Sequence, residues 1–162
     1  MSTLLATASI RPAKPEDFGN IIKLNRHHFH GTTCKLGFWG RLRFILKSFL
    51  SRIGYSRIKW IVAESQNEFL GFAAYEIWCK RMHILRIAIE PTKLRQGVGT
   101  KLVLELESIS RSNKAKVIFL EVRSTKKYVQ LFYESLKFKV TNVLRGFYSD
   151  TKENGLRMER VL

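Results

Sequence analysis

Cysteine, acidic residues and long apolar runs are all scarce in this sequence. The 162 residues include two cysteines, Cys34 and Cys79, which are too few for a disulfide framework and have no neighbours at metal-ligand spacing. No apolar run approaches the roughly 18–20 residues that a membrane-spanning helix needs. No charged segment precedes the short apolar piece at the N-terminus, as it would in a secretory signal. We therefore expect one domain over residues 1–162, without a membrane span, in the cytoplasm.

The charge balance is strongly basic. Lysine and arginine number 29 against 13 aspartates and glutamates, a formal net charge of +16. Such a field attracts polyanions, namely nucleic acid, a ribosome surface, an anionic membrane or a phosphate-rich cofactor, and it repels polyamines. Because the cations are spread through the periodic segments and form no tail, a solvated basic surface explains them as well as a nucleic-acid groove does. Association with a ribosome or RNA is thus one of two open interpretations of this basic protein.

Hydrophobic periodicity predicts an alternation of strands and helices. Pro15 and the two acids after it predict the start of a helix that ends near residue 28. The turn "SQNE" (65–68) predicts a hairpin between two β-rich runs. Further helices are predicted over 38–53, which is basic, 98–112 and 127–136, and strands over 8–14, both halves of 59–78, 81–91, 116–122, 138–148 and 156–162. The order predicts an α/β fold with a mixed central sheet of about seven strands and flanking helices.

A glycine turn lies between the strand at 81–91 and the helix at 98–112. The stretch "LRQGVG" places Gly97 and Gly99 where the first helix amides have no intrahelical partner and where the helix dipole is positive. Without side chains there, a phosphate can approach the amides closely, and Arg95 adds a full positive charge. The alternative is that the glycines only end the strand and allow tight packing. The stretch is neither a Walker A loop nor a dinucleotide fingerprint, since no Gly-Lys-Ser/Thr follows and the third glycine is missing.

Three motifs further along the chain make the pattern specific. They are "LEVR" (120–123), "LFYESLKF" (131–138) and the aromatic pair Phe147-Tyr148. With the glycine turn they resemble the GNAT N-acetyltransferase superfamily, and within it the bacterial ribosomal-protein N-alpha-acetyltransferases, over residues 9–30 and 58–160. The resemblance implies a GNAT fold whose sheet has a V-shaped split between the fourth and fifth strands. It also implies direct transfer of an acetyl group from acetyl-CoA, without a metal, to an amine of a protein or peptide, with a protein N-terminus as one candidate.

The resemblance implies catalytic roles for two residues. Glu121 matches the glutamate that removes a proton from the attacking ammonium through water, and Tyr133 matches the tyrosine that protonates the departing CoA thiolate. A base is needed because an amine is mostly protonated at neutral pH, and burial in an apolar strand is expected to raise the pKa of Glu121. The structural alternatives are an ion pair of Glu121 with Arg123 and a packing role for Tyr133, in which case Tyr148 is a substitute catalytic residue.

The same resemblance places acetyl-CoA on the fourth strand and the glycine turn. Three positions depart from the family pattern: Leu94 stands where glutamine or arginine is usual, Lys126 replaces an asparagine, and Lys137 replaces a glycine. These departures leave the contacts with the cofactor open. The matched positions are Ile87, Ala88 and Ile89 for the pantetheine arm, Arg95, Gln96, Gly97, Val98, Gly99 and Thr100 for the pyrophosphate, and Lys126 for the pantetheine or phosphate region.

No motif identifies the acceptor. Its pocket is expected from residues 26–55 and 142–155. The histidines of "HHFH" (27–30) have no acidic or cysteine partner nearby and predict no metal site. Three alternatives to a protein amine stay open: a small-molecule amine, the aminoacyl-tRNA substrate of a GNAT-type toxin, and a basic binding module with a vestigial acetyl-CoA site.

Overall fold

A computed structural model of the chain describes residues 8–28 and 57–162. The predicted basic helix over 38–53, Cys34, and most of the segment 26–55 expected to form the acceptor pocket lie outside the described residues. The described elements are strands β1 (Ser9–Pro12), β2 (Lys59–Ser65), β3 (Glu68–Trp78), β4 (Arg81–Ile89), β5 (Val117–Arg123), β6 (Lys139–Tyr148) and β7 (Glu153–Val161), helices α1 (Phe18–His28), α2 (Val98–Ser112) and α3 (Lys127–Ser135), and 3₁₀ turns at Pro15–Asp17 and Pro91–Lys93.

The strands form one mixed sheet of seven strands in the order β1-β2-β3-β4-β5-β7-β6. Strands β4 and β5 are parallel, and all other neighbours are antiparallel. Helix α2 connects the parallel pair, as a parallel crossover requires. The predicted α/β architecture with a mixed sheet of about seven strands is therefore confirmed. None of the helices in the described part of the chain is long and apolar enough to cross a membrane.

Two tight turns join β2 to β3 and β3 to β4. The first consists of Gln66 and Asn67, with φ of 50° and 64°, and the second of Cys79 and Lys80, with φ of 48° and 58°. Left-handed φ at both central residues is the requirement of a type I′ turn, whose twist matches that of the flanking strands. The hairpin predicted at "SQNE" is thereby confirmed.

Strands β4 and β5 diverge after a short stretch of pairing. Residues 81–83 pair with residues 117–119, although β4 continues to Ile89 and β5 to Arg123. In the pairing of β3 with β4, a register shift leaves Leu85 as a bulge, and bulges bend the strand that carries them. The two strands therefore open a split between the fourth and fifth strands, where the resemblance implied one.

The two faces of the sheet carry different cores. The larger core, on the face covered by α2 and α3, includes Ile118, Leu120 and Val122 of β5. A smaller core on the other face is built on α1 and includes Ala88 of β4. Because successive strand side chains point to opposite faces, Glu121 lies on the α1 face. This alternation decides which side chains meet at the base of the split.

An ion pair anchors the start of α1 to the edge of the sheet. The Arg11 guanidinium donates to both carboxylate oxygens of Asp17 at 2.7 and 3.0 Å, and the Lys14 N–H donates to the same carboxylate at 2.6 Å. Burial raises the pKa of Asp17, but these donors outweigh burial and hold the pKa below its ordinary value. The predicted helix start is a 3₁₀ turn over Pro15–Asp17, and α1 begins at Phe18.

Candidate active site

The glycine turn leads from the end of β4 into α2. Gly97 is the N-cap residue of α2, with φ 81° and ψ −1°, a left-handed conformation that glycine adopts without steric cost. No side chain of the cap residue bonds the first amides of this helix. Arg95 is exposed and also has a left-handed φ, 61°, which is uncommon for a residue with a side chain. The turn therefore sets uncapped helix amides beside an exposed cation, which is the chemistry of an anion site.

Gly99 has a different role from Gly97. A Cβ atom at Gly99 would lie 3.3 Å from Cζ of Phe132 on α3 and 3.9 Å from Cγ1 of Ile89 on β4. The first distance is shorter than ordinary carbon contact, so the missing side chain lets α2 pack closely on α3. Close packing therefore explains why residue 99 is a glycine, and the left-handed backbone conformation explains why residue 97 is one.

The other residues predicted to bind the pyrophosphate region differ in what they can offer a ligand. The Gln96 side-chain amide donates to the carbonyl oxygen of Thr92 at 2.9 Å and so braces the turn. Val98 is 2% exposed, which leaves its backbone as the part able to reach a ligand. Thr100 lies half-buried in the first turn of α2, and Lys126 is exposed at the N-cap of α3.

The backbone of β4 determines which of the predicted pantetheine residues face the split. The Glu90 N–H donates to the Leu70 carbonyl of β3 at 2.9 Å. Backbone groups alternate in direction along a strand, so Ala88 also directs its groups to β3, whereas Ile87 and Ile89 direct theirs toward β5. Ala88 therefore differs from the other two predicted pantetheine residues. Its backbone groups point to β3 and not into the split, and its side chain is buried in the α1-face core.

Glu121 lies on β5 just beyond the last residue pair at the base of the split. Its Oε2 is 2.7 Å from Nε2 of His83, and its Oε1 accepts bonds from Nε and Nη2 of Arg157 at 3.2 and 3.1 Å. The His83 ring stacks on Phe119 with centroids 4.4 Å apart, and its Nδ1 is 3.6 Å from Oε1 of Glu76. Both oxygens of a carboxylate that is 9% exposed are thus engaged by partners from the two adjacent strands.

The expectation of a raised pKa for Glu121 is wrong. Burial raises its pKa, as expected, but the hydrogen bonds and charges of His83 and Arg157 outweigh burial and hold the pKa below the ordinary carboxyl value. The alternative ion pair with Arg123 is also wrong, because Arg123 pairs with Asp150 at 2.8 Å. The carboxylate is therefore ionised throughout the neutral range.

Tyr133 lies in the larger core, on the face of the sheet opposite Glu121. Its side chain is buried, and its ring makes edge contacts with Phe132 and Phe138, with centroids 5.0 and 5.5 Å apart. Burial raises the pKa of Tyr133, so the phenol stays protonated at neutral pH. Within the described residues, the hydroxyl group has no hydrogen-bond partner. A packing role and an available proton donor coexist in this residue.

Two residues of the site were missed by the sequence analysis. His83 is 38 residues from Glu121 and Arg157 is 36 residues from it, so no local spacing reports the contacts. The available signal was a histidine inside the apolar strand "RMHILRIAI". Tyr148, the substitute catalytic residue, lies near this cluster, since Arg123 stacks 4.0 Å over its ring and burial together with the Glu121 charge raises its pKa.

Two groups able to exchange protons lie on opposite faces of the sheet. An ionised carboxylate paired with a histidine lies on the α1 face, and a protonated phenol lies on the opposite face. The uncapped start of α2 lies at the open end. Across residues 8–28 and 57–162, no group of three or more His, Cys, Asp or Glu residues could hold a metal ion.

Comparisons with known proteins give consistent results. A family model for the acetyltransferase (GNAT) family matches residues 27–138. An N-alpha-acetyltransferase of Saccharolobus solfataricus is 26% identical over 147 residues, 90% of this chain and 88% of that protein. A ribosomal protein bS18-alanine N-acetyltransferase of Escherichia coli K12 is 25% identical over 114 residues, 69% and 76% of the two chains. The PaiA N-acetyltransferase of Thermoplasma acidophilum, in complex with coenzyme A, has a TM-score of 0.74 at 21% identity and covers 100% of both chains.

Proposed function

This chain belongs to the acetyltransferase (GNAT) family, as its motifs indicated, and we propose that it transfers the acetyl group of acetyl-CoA directly to the α-amino group of a protein or peptide. The names of the two relatives, one an N-alpha-acetyltransferase and the other a ribosomal protein bS18-alanine N-acetyltransferase, support this acceptor. One observation in the chain itself carries the proposal: a mostly buried, ionised carboxylate lies at the base of a split whose open end has uncapped helix amides beside an exposed arginine. The low cysteine content suits the cytoplasm as its location.

The donor side of the site fits acetyl-CoA, which supplies the acyl group activated as a thioester. Ile87 and Ile89 direct backbone groups into the split, where the extended pantetheine arm would pair with them. The amides around Gly97 and the exposed Arg95 would hold the pyrophosphate. Lys126, exposed at the start of α3, would add a cation where the family pattern has an amide.

The low pKa of Glu121 favours an α-amine over a lysine side chain as the acceptor. A carboxylate with a lowered pKa is a weak base, so the reaction depends on an acceptor that gives up its proton readily. The α-amino group loses its proton near pH 7.7–8.0 and the lysine side chain near 10.4, a difference of roughly 2.5 pKa units or about 3.4 kcal/mol. Glu121 attracts the ammonium and accepts its proton through water, and the His83 hydrogen bond holds the carboxylate in place.

Tyr133 supplies the second proton transfer. The departing thiolate needs a proton, and the Tyr133 phenol is protonated because burial raises its pKa. Its hydroxyl is not engaged by another described residue and is therefore available as a donor. We assign Glu121 with His83 to the acceptor side of the reaction and Tyr133 to the donor side.

A panel of amines with mass-spectrometric detection tests the proposed acceptor. The panel contains a peptide with a free N-terminus and an internal lysine, the same peptide with its N-terminus blocked, spermidine, and an aminoacyl-tRNA, each with acetyl-CoA. We expect acetylation of the free N-terminus and none of the blocked peptide. Turnover of the lysine, of spermidine or of the aminoacyl-tRNA at a higher kcat/KM than the free N-terminus would overturn the acceptor assignment.

A further inference from the structure

The end of the sheet opposite the split is formed by four neighbouring parts of the chain. They are the β3–β4 turn, the α2–β5 connection, the α3–β6 connection and the end of β7. The Lys116 N–H donates to the Lys80 carbonyl at 2.8 Å, and the Leu162 N–H donates to the Lys116 carbonyl at 2.9 Å. Further along the sheet, Lys139 at the start of β6 lies opposite Glu159 of β7 in the strand register. These bonds bring residues far apart in sequence to one end of the molecule.

Five exposed lysines project from this end and define what we call the turn-lysine surface. No ion pair of the described chain involves any of them. They occupy the starts of neighbouring strands or the turns before them, so they extend across about three interstrand spacings, roughly 14 Å. The members are Lys80, Lys114, Lys116, Lys137 and Lys139.

The arginines at the same end are already paired within the protein. Arg81 pairs with Glu159 at 2.7 Å, and Arg111 and Arg160 both pair with Glu107, at 2.8 and 3.0 Å. Glu159 and Glu107 are therefore already engaged by arginines. The lysines are left with their full charge toward solvent.

Three of the lysines occupy backbone conformations that disfavour them. Lys80, Lys114 and Lys137 have φ of 58°, 56° and 68°. Glycine and asparagine adopt this left-handed region most easily, because a Cβ atom crowds the following carbonyl group. All three side chains are exposed and so gain no buried packing in exchange. The charge of the side chain is the property that distinguishes lysine from the residues these turns favour.

We propose that the turn-lysine surface binds the phosphate backbone of RNA. Lysine acts as a compact point charge that suits phosphate, and a row of five matches a series of phosphates. Protein interfaces are depleted in lysine and enriched in arginine, and the arginines here are paired internally. Trp78 is 44% exposed at the end of β3, two residues before Lys80, and can stack on an unpaired base.

The proposal does not depend on acetyl transfer, because the surface and the split lie at opposite ends of β4 and β5. An RNA bound to the turn-lysine surface leaves the split open. The protein would then hold onto an RNA-containing assembly while its acceptor site faces away from that assembly.

Fluorescence anisotropy with a labelled single-stranded 20-nucleotide RNA tests the proposal over a series of salt concentrations. The variant combines Lys80→Asn, Lys114→Asn and Lys137→Asn. Removing three cations should reduce the slope of log K against log salt by roughly 2, at about 0.7 per phosphate contact on a single strand. Because asparagine suits a left-handed φ, we expect the Tm of the variant to equal or exceed that of the parent. Its kcat/KM for acetyl transfer should stay within about twofold.

A matched control removes three exposed cations elsewhere, by Lys23→Gln, Arg145→Gln and Lys152→Asn, with the same change in net charge. Lys152 also has a left-handed φ, 58°, so the control shares that feature. We expect its RNA affinity to stay within about threefold of the parent. Equal weakening of both variants would show an effect of net charge alone and overturn the proposal. Binding of phosphatidylserine vesicles but not RNA by the parent would overturn it as well.

Discussion

Both oxygens of the Glu121 carboxylate accept hydrogen bonds, one from His83 and one from Arg157. These partners keep a mostly buried carboxylate charged, which burial alone would oppose. In the proposed reaction, the charged Glu121 would bind the ammonium of the acceptor, and water would carry the proton to the carboxylate. The character of the residue is set by its neighbours more than by its own burial.

Replacing Arg157 with glutamine should move the acid limb of kcat/KM to higher pH. The folded-state pKa of Glu121 is lowered, so the charged form that the proposed reaction requires persists down to low pH in the parent. Without the Arg157 charge, burial has a larger net effect, and Glu121 takes up a proton at a higher pH. The measurement is kcat/KM against pH with one peptide, so that the titration of the acceptor amine is common to both proteins.

Arg111→Gln is the control for Arg157→Gln, because it removes the same charge from an exposed helix residue far from the split. Its profile should coincide with that of the parent. An unchanged acid limb in Arg157→Gln would mean that Glu121 does not need its charge, and the assignment of Glu121 to the acceptor side would then be wrong.

Tyr133→Phe should slow the reaction without loosening the core. The substitution keeps the ring contacts with Phe132 and Phe138 and deletes a hydroxyl that no described residue bonds. We expect the free energy of unfolding to change by less than about 1 kcal/mol, and kcat to fall by about 10²–10⁴. Tyr75→Phe, at another buried tyrosine, serves as the control and should leave kcat unchanged. A kcat for Tyr133→Phe within a factor of about two of the parent would show that Tyr133 is not the general acid and only packs in the core.

How far the site could be predicted depends on the range of its contacts. Gly97, Glu121 and Tyr133 lie in motifs that are local in sequence, so the sequence pointed to them. His83 and Arg157 reach Glu121 through strand register, across 38 and 36 residues, and local spacing carries no information about them. The pKa of Glu121 was mispredicted for the same reason, since the partners that lower it were not visible.

Element boundaries show a similar division. Helix α2 begins and ends at the residues predicted from its apolar spacing. Strand β7 begins at Glu153, three residues before the predicted start at 156. Its first residues are held by polar contacts: Glu153 accepts a bond from the Thr125 N–H at 2.9 Å, and the Asn154 carbonyl accepts one from the Ser124 N–H at 3.0 Å. Hydrophobic periodicity cannot report a strand end that is fixed by contacts of this kind.

At the edge of the sheet, Asp17→Asn should destabilise the protein at neutral pH but not in acid. The pKa of Asp17 is lowered on folding, so its contribution is present in full above the unfolded value of 3.8 and is lost as the pH falls through the lower folded value. We expect a loss of about 1–2 kcal/mol in the free energy of unfolding at pH 7. Urea unfolding at several pH values measures it, and the parent and the variant should converge below pH 3.8.

Glu16→Gln, at the adjacent acidic residue, controls for the loss of one negative charge. Its side chain is 70% exposed and lies 3.7 Å from Lys14, so its effect should stay within about 0.5 kcal/mol. A constant difference between Asp17→Asn and the parent at every pH would show that the Arg11 pair does not stabilise the edge.

Over the whole molecule, the net charge of +16 is unevenly arranged. Acidic side chains near the split are held in pairs, as Glu121 is with Arg157 and Asp150 is with Arg123. The unpaired lysines of the turn-lysine surface lie at the far end of the sheet. Under the two proposals, the acceptor ammonium and an RNA would occupy opposite ends of the molecule.

The short pairing of β4 with β5 also has a mechanical consequence. Three residue pairs join a half-sheet of β1 to β4 with a half-sheet of β5 to β7, so this seam is the thinnest part of the sheet. A donor bound between the two strands would contact both halves of the sheet. Ligand at 100 times its Kd adds about 2.7 kcal/mol of stability by mass action. We therefore expect bound acetyl-CoA to strengthen the cohesion of the two halves and to make opening along this seam rarer than in the empty protein.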